Sequence, residues 1–431
     1  MRRPHVVILG AGFGGVYVAK RLKRAVRNGE IDLTIINRTN SFLFTPLLHE
    51  VATGGLSPRT VAEPLREIFA RTGVRIIQGQ VESINSVGRR LSVRTGEHSL
   101  KLDYDYLVIA TGAETNFYGI PGAAENTLSL KSLKDAIKIR DRIIDAFEEA
   151  VVTEDEAKRR ALLSFAIVGG GATGVEVAAE LAEFIDGMVK RYYGDAHCRV
   201  GDPRHCRREE PKVALIHAGK ELLEQFAPSL RASVYRHLSQ KGVAVMVEAV
   251  VTEVTAEGLK LASGTAIPAA TIIWTAGVKA SAPVFEDVKP TLIGGRMAVD
   301  NYFRLLGSKD IFVLGDAAAY VDQYGGSHQK PLPQLAQVAE AQSETVAANV
   351  LASIRKQLLQ DFHYESKGSM VSVGQWFAIG EIYSMHMAGR FTWWLWRTVY
   401  LFKFASWKKR IRIGFEWFIQ MFFPRDITRI S

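Results

Sequence analysis

The sequence predicts an α/β protein built from two dinucleotide-binding, Rossmann-like domains, the second inserted in the first, with an amphipathic helical region at the C-terminus. Three observations predict it. A strand–glycine turn–helix pattern opens the chain and returns near residue 165. Buried strands ending in "ATG" and "LGD" lie before and after the second copy, so the first unit is interrupted and then resumed. Beyond about residue 366 the composition changes to aromatic and basic.

The elements follow in order. In "HVVILGAGFGGVYVAKRLKRA", His5 to Leu9 is a short apolar run, and Gly10, Gly12 and Gly15 follow at G-x-G-x-x-G spacing, with Phe13 and Gly14 inside the loop. Backbone N–H groups at a helix N-terminus bind a pyrophosphate, and glycines let it approach. The next strand is "IDLTIIN". Its end usually carries an acid for ribose hydroxyls; here Asn37 stands there, followed by Arg38. Asparagine bonds a ribose without charge assistance. "DYDYLVIATGAETNFYGIPG" is a buried strand running into Ala110, Thr111 and Gly112. Leu130 to Leu163 reads as a charged amphipathic helix.

The second copy, "SFAIVGGGATGVEVAAELAEF", carries Gly169, Gly171 and Gly174, then Val175 and Glu176. One such loop is weak evidence; two, each with a strand before and a helix after, imply two nucleotide sites. Glu176 falls in a helix's first turn, where a carboxylate also serves as a cap, so both roles stand. "KVALIH" puts His217 where a ribose acid is expected. His217 could meet a 2′-phosphate, which leaves NADH against NADPH open. "DIFVLGDAAAY" is another buried strand, ending at Gly315 and Asp316. In "PLPQLAQVAEAQSETVAANV", Gln334, Gln337 and Gln342 could donate to a flavin or quinone carbonyl, although by themselves they read as a solvated helix face. The expected domains are 1–117 with 294–365, then 118–293, then a C-terminal region at 366–431.

Composition narrows the class. The 431 residues are 47% hydrophobic and 23% charged, enough for two or three cores. Net charge is +9, yet the last 42 residues hold nine Lys or Arg against two acids, and five of the seven tryptophans. A basic aromatic tail on a near-neutral body points to a surface partner. Two cysteines, Cys198 and Cys206, make no disulfide framework and suit a reducing compartment. Neither lies near a glycine loop, which argues against thiol chemistry at a flavin. With His197 and His205 they sit in a polar insert whose spacing does not suit a zinc site, so no metal is expected. The N-terminus has no signal-peptide run. The most apolar stretch, Phe391 to Trp407, is broken by Arg397 and Lys403, which argues against a transmembrane helix.

The tail reads as two apolar helices, "FTWWLWRTVYLFKF" and "IGFEWFIQMFF", joined by a cationic hinge "KKRIR". Trp mixed with Lys and Arg suits a membrane-surface anchor. An oligomer interface is the next reading, and nucleic acid is disfavoured because so much Leu, Ile and Met surrounds the aromatics.

The whole pattern resembles the type II NADH:quinone oxidoreductases, or alternative NADH dehydrogenases. The resemblance covers nearly the whole chain and is carried by "VILGAGFGG", "FLFTPLLHEVATGGLSP", "DYDYLVIATGAETNFYGIPG", "AIVGGGATGVEVAAEL", "TIIWTAGVKA", "FVLGDAA", "LAQVAEAQ" and "FPRD". It implies one noncovalent FAD on the first glycine loop, NADH on the second, and a membrane quinone as acceptor, without proton pumping. It implies that Val81 lies near the adenine, that Thr111, Gly112 and Asp316 reach the flavin, and that Leu335 and Ala336 border it. It further implies that Ala276 and Gly277 face the nicotinamide dinucleotide and that Glu176 is the carboxylate near the nicotinamide. Gln337 opens the A-Q-x-A-x-Q quinone motif, and Lys367 matches a lysine by the flavin and quinone pocket. Ala341 replaces that motif's second glutamine, with Gln342 one residue late. One residue turns about 100° around a helix, so Gln342 is expected to point elsewhere. The resemblance implies a peripheral, monotopic protein on the cytoplasmic face of a membrane. A homodimer stays open, since such a tail can serve dimerisation and docking together. The competing readings are a soluble FAD-dependent reductase serving a ferredoxin-like or small-molecule acceptor, and a non-catalytic redox-signalling flavoprotein.

Overall fold

The computed structural model describes residues 2–193, 211–321, 331–383, 385–404 and 406–429. The chain divides into two units, each assembled from three separate segments. The His197/Cys198/His205/Cys206 insert lies outside the described residues.

The first unit comprises Met1–Leu43, Ala62–Glu114 and Val278–Glu365. Its centre is a five-stranded parallel sheet in the order Ile311–Val313, Tyr106–Ile109, His5–Leu9, Asp32–Asn37, Arg75–Gln78. Val6 to Leu9 are wholly buried, as a central parallel strand covered on both faces requires. The helix Phe13–Arg27 follows directly from Gly12. It turns Val16, Ala19, Leu22 and Ala25 inward and ends with Arg24 and Arg27 in its last turn, where cations suit the helix dipole. The helix Ala336–Arg355 packs against it. A three-stranded antiparallel sheet, Gln80–Asn85, Arg90–Thr95 and His98–Asp103, shares the core through Ile84, Leu91 and Val93.

The second unit comprises Phe44–Val61, Thr115–Gly277 and Ser366–Ser431. It repeats the plan: a parallel sheet in the order Leu128–Ser129, Thr271–Trp274, Ser164–Val168, Lys212–Ile216, Val243–Met246. The glycine-loop helix is Ala172–Arg191. The single amphipathic helix expected over 130–163 is two helices. Leu133–Val152 opens with a Ser132–Asp135 capping box, and Glu156–Leu162 starts afresh because Asp155 accepts from the backbone of Ala157 and Lys158.

The tail belongs to this second unit. After an antiparallel sheet of Ser369–Ser372, Ala378–Ile382 and Met385–Gly389 come the helices Arg390–Lys403 and Trp407–Gln420. "KKRIR" is not a hinge: it lies inside the second helix, and the break falls at Phe404 and Ser406. Each helix has 14 residues, about 21 Å at helical rise. No helix among the described residues is long and apolar enough to cross a membrane. Three of the five tail tryptophans, Trp393, Trp396 and Trp417, are core residues, while Trp394 and Trp407 are exposed. The tail therefore has an inner face that completes the unit's core and an outer face that is exposed and apolar.

Candidate functional site

In the first unit the carboxyl ends of the sheet strands meet the glycine loop, the usual place for a ligand in such folds. Gly10 donates to the Ile36 carbonyl at 2.8 Å, and Ala110 donates to the Leu9 carbonyl at 2.8 Å. Gly10 has φ +96°, and a Cβ there would collide with the Ala110 carbonyl. A Cβ on Gly15 would collide with the Gly10 carbonyl, and one on Gly14 would come within 3.2 Å of Leu314. A Cβ on Gly12 would meet nothing within 4 Å. Gly12 is thus the open face of the loop, and the others are needed for its closure. Asn37 accepts from the Ala11 N–H at 3.0 Å and donates to Thr39, so its amide already braces the loop. Arg38 offers its carbonyl to Gln78 at 3.4 Å. Val81 lies on the strand Gln80–Asn85, packed against the core.

The Gly315–Asp316 turn closes the same end of the sheet. Leu314 donates to the Ile109 carbonyl at 3.0 Å, and Gln334 donates to the Asp316 carbonyl at 3.1 Å. Gln342 is not on a solvated face: it is fully buried, and its Oε1 accepts from the Gly315 N–H at 2.7 Å. The helix Ala336–Arg355 presents its 342 face to this turn. Leu335 is the N-cap of that helix, so Ala336 and Gln337 fall in its first turn. Two buried polar atoms here have no partner among the described residues: Thr111 Oγ1 and Gln342 Nε2. A buried donor left unmade costs roughly 1–3 kcal/mol, so such atoms mark a place where a polar ligand belongs. An open glycine loop, a helix N-terminus and two orphaned polar groups fit a dinucleotide cofactor such as FAD.

The second unit repeats the cradle. Gly169 donates to the Ile216 carbonyl at 2.8 Å. Gly174 comes so close to the Gly169 carbonyl that a Cβ would collide with it. The Thr275 hydroxyl donates to the carbonyls of Val168 and Gly169, at 2.9 and 3.2 Å. Ala276 and Gly277 follow it; Gly277, at φ +79°, leaves no room for a Cβ beside the Tyr118 hydroxyl. His217 is also braced: its Nδ1 accepts from the Gly170 N–H at 3.1 Å. Gly171 is the N-cap of the helix Ala172–Arg191, with Val175 buried behind it.

Glu176 lies on this helix and is buried. Its Oε1 accepts from the Ser372 N–H at 3.4 Å, and its Oε2 lies 3.6 Å from His49 Nδ1. Burial, reinforced by Glu180 and Glu50, pushes the Glu176 carboxyl well above the usual range against the Ser372 bond. Burial lowers His49 to about 4. His49 is therefore neutral at pH 7, and the 3.6 Å approach is not an ion pair. Glu176 does not cap its helix: its side chain reaches the strand Ser369–Ser372. Lys367 is exposed two residues before that strand. Gln337 belongs to the first unit, Glu176 and Lys367 to the second.

Sequence reasoning missed the groups around Glu176: His49, Glu50, Trp417 and Arg425. The signal was present in "FLFTPLLHEVATGG", an apolar run with one His-Glu pair inside it. Charges in such a run are buried with partners.

Known proteins are similar to this chain in sequence and fold. The pyridine nucleotide-disulphide oxidoreductase family model matches residues 4–343, and the NDH2 C-terminal domain model matches residues 366–426. The type II NADH:quinone oxidoreductase Ndh of Mycobacterium tuberculosis is 32% identical over 96% of this chain and 88% of its own length. The internal alternative NAD(P)H-ubiquinone oxidoreductase A1, mitochondrial, of Arabidopsis thaliana is 31% identical over 99% of this chain and 86% of its own length. A solved structure of NDH2 from Plasmodium falciparum in complex with NADH shares the fold, with a TM-score of 0.86 at 21% identity over 99% of this chain and 100% of that one.

Proposed function

The chain belongs to the type II NADH:quinone oxidoreductases, and from that premise we propose a division of labour among its residues. The duplicated cradle is the observation that supports it most directly. The first loop, Gly10, Gly12, Phe13, Gly14 and Gly15, holds the FAD pyrophosphate, with Asn37, Arg38 and Val81 on the adenosine side. Ala110, Thr111, Gly112, Gly315, Asp316, Leu335 and Ala336 border the flavin, and Thr111 Oγ1 and Gln342 Nε2 supply unmet hydrogen-bonding capacity there. The second loop, Gly169, Gly171, Gly174 and Val175, holds the NADH pyrophosphate, with His217, Ala276 and Gly277 beside it. FAD held by the first loop would supply the redox chemistry, taking up a hydride from NADH and delivering two electrons to a quinone. Glu176, buried and with its proton affinity raised by that burial, holds a proton near the nicotinamide, and Gln337 and Lys367 orient the quinone.

The outer face of the tail is the membrane contact. Phe391, Trp394, Phe402, Trp407, Ile411, Phe415, Phe418, Phe422 and Phe423 are exposed, with exposed Lys408 and Arg412 and half-buried Lys409 and Arg410 among them. Aromatic groups beside cations suit the interface of an anionic leaflet. Peripheral association of this kind brings a water-soluble donor and a lipid-soluble acceptor to one protein.

Anaerobic stopped-flow absorbance tests the function. NADH should bleach the flavin band at about 450 nm, and a short-chain quinone should restore it quickly. Adding NADPH instead measures the nicotinamide preference. Bleaching that a quinone does not reverse would overturn the quinone assignment and favour a soluble reductase.

A further inference from the structure

The second unit buries more carboxyl groups than the cofactor cradles account for. Glu50, on the short helix Leu48–Ala52, is buried with Glu176 and Glu180 of the glycine-loop helix, and Glu183 is half-buried one turn further on. Three cations answer these four acids. Arg425 bonds Glu180 and lies 3.3 Å from Glu183, and Lys241 also bonds Glu183. Among the described residues Arg397 bonds no carboxylate: its guanidinium lies over the rings of Trp393 and Trp417, at 3.9 and 4.7 Å, within the field of Glu50 and Glu180.

Among the described residues, Glu50 and Glu176 are therefore the acids that no cation bonds. The Trp417 indole N–H donates to Glu50 at 2.7 Å, and Glu176 faces the Ser372 N–H, neutral His49 and half-buried Tyr400. The remaining charged groups around Leu48–Ala52 are otherwise engaged. On the packed helix Leu133–Val152, Arg140 bonds the Thr428 carbonyl and faces Asp426 at 3.8 Å, and Asp141 is buried. On the tail helix, Glu416 accepts from Ser57, Thr60 and Arg412. Four acids face three cations, and burial raises the proton affinity of the two that no cation bonds, Glu50 and Glu176.

The proposed reaction consumes a proton. NADH, a quinone and a proton give NAD⁺ and a quinol; the hydride supplies both electrons and one hydrogen, and the second O–H needs a proton from an acid. On the reading of Glu176 as that acid, its O–H bond breaks as the quinol O–H forms, and water then reprotonates it. We propose that Glu50 is a positioning residue for this step, acting through Glu176: when Glu50 ionises, its charge makes Glu176 hold its proton more tightly and slows quinol formation. Burial, against the opposing pull of Arg397, raises Glu50 to about 7, so this switch falls within the working pH range.

The test is the pH profile of steady-state kcat with a short-chain quinone, on full-length FAD-loaded protein. Flavin reduction by NADH and thermal melting serve as controls for folding. Wild-type kcat should fall about five- to tenfold as pH rises through about 7. In Glu50→Gln that limb should vanish. In Trp417→Phe, which deprives ionised Glu50 of its donor, the limb should move to higher pH. Glu176→Gln should slow quinone reduction at every pH. A limb unmoved in both Glu50→Gln and Trp417→Phe, with Glu176→Gln slow, overturns the role of Glu50 alone. A normal rate in Glu176→Gln overturns the reading of Glu176 and, with it, the inference.

Discussion

Single atoms decide whether each cradle closes. Gly15 and Gly174 occupy matching places, each against the carbonyl of the first glycine of its loop. A methyl group at either must push the helix off the strand. The consequences should separate by unit. Gly15→Ala should be purified with little or no bound flavin, seen as loss of the yellow absorbance. Gly174→Ala should keep its flavin and bind NADH at least about tenfold more weakly, a change of about 1.4 kcal/mol or more in titration. Loss of flavin from Gly174→Ala would show that the two cradles are not independent. Asn37 and His217 act at the same scale: each accepts one backbone N–H of its own loop, at Ala11 and at Gly170.

At the scale of elements, the tail helices divide into two faces with different consequences. Trp417 is 5% exposed and donates to Glu50, whereas its neighbours Phe415 and Phe418 are 61% and 55% exposed. Phe415→Ser with Phe418→Ser should leave the melting temperature nearly unchanged and weaken binding to anionic vesicles. Each aromatic withdrawn from the interface removes on the order of 1.5–3 kcal/mol of apolar burial. Trp417→Ala should do the reverse, lowering stability by about 3–5 kcal/mol in denaturant titration through a core cavity and an unmet Glu50. Equal vesicle binding by the double serine variant would remove this face as the contact. Cutting the whole tail would confuse the two, because it also removes Arg425 from Glu180 and Glu183.

At the scale of the whole molecule, the buried acids shape stability against pH. Glu50 is raised from 4.5 to about 7. Its folded value exceeds its unfolded one, so its contribution is fully present below about 4.5 and is lost as pH rises through about 7. The loss is on the order of 3 kcal/mol at the alkaline end. Glu50→Gln should therefore melt progressively higher relative to the wild type as pH is raised from 5 to 8. A constant difference across that range would show that Glu50 is ionised throughout.

Much of this architecture was legible in the chain. Apolar runs such as His5–Leu9 and Ser164–Val168, each meeting G-x-G-x-x-G at once, leave few options but a parallel strand and a phosphate-binding turn, because the constraint is local backbone chemistry. The same locality exposed the missing acids at Asn37 and His217. What lay beyond the sequence was pairing at long range. Gln342 lies 27 positions from Gly315, and Trp417 lies 367 from Glu50. Helical periodicity says that Gln342 and Ala341 face different ways, but not which of them meets the turn. Composition says that the tail is aromatic and basic, but not which tryptophans complete a core. Local sequence determined the two cradles; the tertiary fold decided which charges are buried together, because a buried carboxyl takes its proton affinity from neighbours that only folding brings near it.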